Sequence, residues 1–133
     1  MPISFPFEKL SSDVFKSIYR PYATVFLRKD KHSNWVESKM IIDTGADFTL
    51  LPVVYAWKLG INLKKDCQKN KTFGIGGEEV IYLYHNLHAK IGKSERKIPV
   101  GFLAHNDVPA LLGRHEFLET FKVVFDNRIS TFS

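Results

Sequence analysis

The sequence predicts an all-β fold, a small closed β-barrel with one or two short helices. Three observations lead there. Short stretches that mix β-branched and aromatic residues recur along the chain, separated by polar or glycine-bearing turns. Helix signals are few, and no internal repeat is present. The length, 133 residues, fits one domain.

Residues 1 to 20 carry mixed signals. Ser12-Asp13 followed by Val14, Phe15, Ile18 and Tyr19 has the form of a short amphipathic helix, which Pro21 would end. Tyr22 to Lys29 alternates like a strand, Asp30 to Asn34 is turn-like, and Trp35 to Ile42 returns as its hairpin partner. Thr49-Leu50-Leu51 reads as a short strand. Pro52 opens and Gly60 closes a short helix through Val53, Val54, Ala56, Trp57 and Leu59. Lys71 to Gly77 and Glu78 to Tyr84 form the arms of a glycine-tipped hairpin, with strand continuing toward Ile91. A basic turn around Gly92 leads into a strand from Lys97 to Ala104, and His105-Asn106-Asp107 is a loop. Ala110-Leu111-Leu112 is a short buried strand, Arg114 to Thr120 a short helix, and Phe121 to Asp126 and Ile129 to Phe132 are the last strands.

Composition narrows the function classes. Apolar residues make up 44% of the chain, ordinary for a soluble protein, and the eleven Phe suit strands and an apolar peptide groove. No apolar run is long enough to span a membrane. The start, Met1 to Pro6, lacks the basic region and apolar core of a secretory signal. Cys67 is the only cysteine, so no internal disulfide can form; a reducing, cytoplasmic location is expected. Basic neighbours of Cys67 would lower its pKa, but no histidine pattern makes it a nucleophile. The net charge of +5 gathers at Lys64, Lys65, Lys69 and Lys71 and at Lys90, Lys93, Arg96 and Lys97. Neither cluster interleaves aromatics, so solvated turns are expected rather than nucleic-acid binding. His85 and His88 would face opposite sides of a strand and have no third ligand nearby, which argues against zinc.

The chemistry-bearing motif is Asp43-Thr44-Gly45-Ala46, directly behind Met40-Ile41-Ile42; Asp-Thr-Gly occurs once. Gly74-Ile75-Gly76-Gly77 follows, with neither a dinucleotide fingerprint nor a phosphate-loop lysine. Leu111-Leu112-Gly113-Arg114 comes last. In order and rough spacing these motifs resemble the retropepsin-type aspartic proteases, the retroviral enzymes and their single-domain cellular and bacterial relatives. The resemblance covers about residues 20 to 128. It divides the chain into an N-terminal segment, 1–20, and a retropepsin-like domain, 21–133, whose barrel is of the acid-protease type.

That resemblance implies an aspartic endopeptidase built as a homodimer, with Asp43 as its catalytic residue and no cofactor or metal. A single Asp43 is half a site: two carboxylates must share one proton. Thr44 would bond across the two-fold axis, and Gly45 would leave room for substrate. A peptide or protein substrate would meet Ala46, Asp47, Phe48, Pro109, Leu111 and a flap made by Gly74, Ile75 and Gly76. Asp47 would also form a bidentate ion pair with Arg114. Phe48 stands where some retroviral enzymes have a polar residue, so apolar inner pockets are expected. His115 departs from the family's usual Asp or Asn. A catalytically silent dimerisation or peptide-binding module remains the alternative, and neither nucleic acid nor membrane is expected as a partner.

Overall fold

The computed structural model describes residues 2–74 and 77–133. The first twenty residues are strands, not the expected helix. β1 (Ile3–Pro6) pairs with the last strand of the chain. β2 (Glu8–Ser12) and β3 (Lys16–Arg20) form a hairpin with Leu10 opposite Ile18. The spacing of Val14, Phe15, Ile18 and Tyr19 suits helix or strand, and the turn decides. Ser12 Oγ accepts from the Val14 and Phe15 amides at 3.3 and 3.1 Å, and Lys16 adopts φ 64°, where a right-handed helix cannot continue. Val14 and Phe15 are left exposed at the hairpin tip.

The barrel wall follows from alternation. In β4 (Tyr22–Arg28), Ala23, Val25 and Leu27 are fully buried while the residues between them face outward. β5 (Val36–Ile42) pairs antiparallel with it, and β6 (Thr49–Leu51) follows the Asp43 loop. α1 (Val53–Leu59) stops at Gly60, whose φ of 70° suits glycine. Ser38 Oγ donates to the Tyr55 hydroxyl at 2.9 Å, tying α1 to β5. α2 (Leu63–Asp66) was not expected among the lysines. The Asn62 side chain accepts from the Lys64 and Lys65 amides, and Asp66 Oδ2 accepts from the Asn62 amide.

β7 (Gln68–Gly74) and β8 (Gly77–Ile91) form the long hairpin. β8 is one strand with an irregularity between Tyr84 and Leu87. β9 (Ser94–Leu103) and the very short β10 (Leu111–Leu112) follow. The helix expected over Arg114 to Thr120 shrinks to one 3-10 turn, Leu118–Thr120, because Glu116 takes φ 57°. β11 (Val123–Asp126) and β12 (Ile129–Phe132) join β1 in a separate three-stranded sheet ordered β1-β12-β11. The main sheet runs β4-β5-β10-β6-β9-β8-β7, and β4 also pairs with β8 through Leu27 and Ala89. That pairing closes a ring of strands around Leu27, Met40, Leu87, Val100, Phe102 and Leu112, all fully buried. β7 lies outside the ring and pairs only with β8.

One crossing positions the rest. β10 fills the slot between β5, to which it is parallel, and β6, to which it is antiparallel. The chain leaving β5 must therefore pass over the end of β10 to reach β6. Gly113 lies directly under this crossing. A Cβ there would stand 2.3 Å from the Phe48 carbonyl carbon, and the Gly113 amide donates to the buried Thr49 hydroxyl at 3.1 Å. Any side chain at Gly113 would have to push backbone aside.

Two predictions follow from this packing. Gly113→Ala should lower the unfolding free energy by about 3 kcal/mol, measured by urea denaturation, because the contact is with backbone that cannot rotate away. Cys67 is half-buried at the end of α2. Burial, and secondarily the Asp66 charge, push its thiol from 9.0 up to about 11, against the lowering expected from nearby lysines. Two pH units remove thiolate, so iodoacetamide at pH 8 should alkylate Cys67 about 100-fold more slowly than the unfolded chain.

Candidate active site

Asp43 stands at the end of β5. Its amide donates to the Leu112 carbonyl at 3.0 Å, so β10 fixes the backbone where the strand ends. The Asp43 carbonyl accepts from the Ala46 amide at 3.1 Å, and its Oδ1 accepts from the Gly45 amide at 3.0 Å. This is a tight turn that holds one carboxylate oxygen and leaves the other without a protein partner among the described residues. Asp43 is half-buried, while Thr44 and Gly45 are exposed. A Cβ on Gly45 would meet Asp43 Oδ1 at 3.4 Å, an ordinary contact. Among the described residues, nothing therefore demands glycine at position 45.

The far half of the loop is stapled to the chain that follows β10. The Arg114 amide donates to the Ala46 carbonyl at 3.0 Å, and the His115 amide donates to the Asp47 carbonyl at 2.7 Å. Arg114 Nη2 meets Asp47 Oδ1 at 2.5 Å, while Arg114 Nε donates to the Ala46 carbonyl at 3.4 Å. The guanidinium thus divides itself between a carboxylate and a carbonyl, rather than forming the expected two-pronged carboxylate pair. The Asp47 side chain is 82% exposed, and an ion pair so wet contributes little. The backbone bonds and the Gly113 contact set the loop; the ion pair trims it.

Beside this loop lies a groove of about 410 Å³. Gly45, Ala46, Asp47 and Phe48 form one wall, and the β7–β8 hairpin forms the other through Thr72, Phe73 and Gly77 to Glu79. Leu50, Leu103 and Val108 complete it. Gly74 pairs with Gly77 at the end of the hairpin ladder; Ile75 and Gly76 lie outside the described residues. Pro109 is exposed and Leu111 is half-buried in β10 between Ile41 and Leu50, and neither lines the groove.

The groove is less apolar than Phe48 alone suggests. Asp47, Glu78 and Glu79 bring carboxylates to its walls, each with a side-chain partner in this chain: Arg114, Lys71 at 3.0 Å, and the His105 ring at 2.5 Å. Sequence reading missed Glu78, Glu79 and Phe73 because attention fell on the glycines between them. The alternation along β8, with Glu79 two residues before the buried Ile81, was the available signal. Among the described residues, no group of three or more His, Cys, Asp or Glu side chains is placed to hold a metal ion. No helix of the described residues is long and apolar enough to cross a membrane.

No protein-family model matches the chain, and no curated protein matches it. Among solved structures, the chain is similar to a retropepsin-like aspartic protease from Rickettsia conorii. The two share 24% sequence identity with a TM-score of 0.68, over 99% of this chain and 90% of that one. The likeness extends beyond the span of the three motifs and takes in the N-terminal strands. The chain has the retropepsin-like fold.

Proposed function

We propose that this chain is one half of an aspartic endopeptidase, completed by a second copy that contributes a second Asp43. The observation that carries the reading is the placement of a single Asp-Thr-Gly turn at a strand end, beside a groove walled by a hairpin. A single carboxylate is half of a pair that shares one proton. Two brought together across a two-fold axis cannot both ionise, and their pKa values separate.

In the dimer, the ionised Asp43 takes a proton from a bound water as that water's oxygen attacks the scissile carbonyl carbon. The protonated Asp43 gives its proton to the carbonyl oxygen. Collapse of the tetrahedral species breaks the C–N bond: the proton first taken from water passes to the leaving nitrogen, and one hydroxyl proton returns to the Asp43 that donated to the carbonyl oxygen, restoring the shared proton. Thr44, exposed and both donor and acceptor, would bond its counterpart across the axis. The freedom at Gly45 is then used from outside the chain, by the partner loop and the substrate. The peptide lies extended between the Gly45–Phe48 wall and the hairpin, offering its backbone like an added strand.

Asp43→Asn should abolish cleavage of a peptide library between about pH 4 and pH 7, a loss of at least ~10³-fold, with the dimer retained by sedimentation. Undiminished cleavage by that variant would sink the mechanism. A protein that stays monomeric, or a dimer that cleaves nothing, would favour a silent binding module on the same fold. Thr44→Ala should weaken dimerisation by roughly tenfold, read as a shift in the concentration of half-dissociation.

A further inference from the structure

We propose that Glu79 and His105 form a latch that ties the hairpin walling the groove to the barrel rim and sets how firmly that wall holds a substrate. This rests on the protease reading and deepens it by naming positioning residues for the same site.

The latch follows from strand register. β8 and β9 pair Tyr82 with Phe102 and Ile81 with Leu103. One more pair of positions along the same face, this register sets Glu79 opposite His105. The ladder never reaches them, because β9 ends at Leu103 and the chain leaves as a loop. Beyond Ile81, the hairpin is held by backbone bonds only to β7. At that point the side chains take over: His105 Nε2 lies 2.5 Å from Glu79 Oε1. Ile81 and Leu103 are buried on that face, and Glu79, on the same face, lines the groove beside Leu103.

Both ends of the contact are anchored. The His105 carbonyl accepts from the Val53 amide at 3.1 Å, and Asn106 Oδ1 accepts from the Val54 amide at 2.9 Å, fixing the loop to the start of α1. The Asp107 amide approaches His105 Nδ1 at 3.2 Å, which assigns the neutral ring's proton to Nε2, facing Glu79. The charged groups facing His105 are Glu79 from the hairpin and Asp107 from its own loop, with Asp107 Oδ2 at 3.6 Å from Nδ1. Both are carboxylates. The neutral ring keeps a donor on Glu79, and the protonated ring adds a charge that both carboxylates welcome. The contact therefore has a donor on the His105 side whichever form the ring takes.

The test is amide hydrogen exchange on the full chain, alongside peptide kinetics. His105→Ala and Glu79→Ala should each speed exchange in residues 72–74 and 77–80 by about three- to fivefold, leaving β4 and β5 unchanged. The exchanged pair, Glu79→His with His105→Glu, should return exchange to within about twofold of the parent. In cleavage, the single variants should raise KM by the same factor with kcat little changed. Unchanged hairpin exchange, loosening spread over the whole barrel, or no recovery in the swapped pair would overturn the latch. If the parent cleaves nothing, the protease reading fails and the exchange results still decide the latch.

Discussion

The segment Asp43–Phe48 crosses the end of β10, and the crossing is possible only because Gly113 has no side chain. Its closest approach to Phe48 is to backbone, which has no rotamer to change. β10 is two residues long, yet it pairs with both β5 and β6 and accepts the Asp43 amide on the Leu112 carbonyl. The turn that carries the carboxylate is thus set by buried backbone bonds rather than by surface charges. Asp47 and Arg114 look more conspicuous in the sequence, but exposed charges screened by water cannot fix a loop to the same degree.

The same economy explains what the chain leaves unfinished. Asp43 Oδ1 is engaged by the Gly45 amide, Thr44 faces outward, and Gly45 has room for a side chain that it does not have. A turn serving only its own barrel would gain from a residue with less backbone freedom at position 45, since glycine loses the most entropy on ordering. The proposed dimer supplies a reason for that loss: the neighbouring loop and the substrate backbone need the space. The groove has one loop wall and one hairpin wall, and in the proposed dimer a second copy would extend it.

Much of this architecture was legible in the sequence. The β4–β5 hairpin, α1 between Pro52 and Gly60, and the long hairpin around the glycines all rest on local patterns with one physical solution. The misses have local causes. Val14, Phe15, Ile18 and Tyr19 fit two periodicities, and a serine turn with a left-handed Lys16 chose between them. Glu116 adopts a left-handed conformation that no local rule required, so the helix expected there became a short 3-10 turn. α2 was hidden because the lysines drew attention away from the Asn62 and Asp66 caps. At the site, the motif residues Asp43 to Phe48 and Arg114 come together, while Pro109 and Leu111 stand away from the groove. Glu79 and His105 are 26 residues apart, and only the β8–β9 register reveals that they meet.

The acidic groove walls bear on how a peptide could be accommodated. An extended chain entering between loop and hairpin brings backbone amides and carbonyls that lose water and need partners. Unpaired carboxylates there would attract any cation and hold water tightly. Instead Glu78 faces Lys71, Asp47 faces Arg114 and Glu79 meets His105, so each carboxylate already has a partner within the chain. The pairs sit at the rim, partly wet, where breaking one costs little. Phe48, Leu50, Leu103 and Val108 supply the apolar surface between them. Such a groove favours binding through backbone and apolar contact, with the rim pairs controlling access more than selecting side chains.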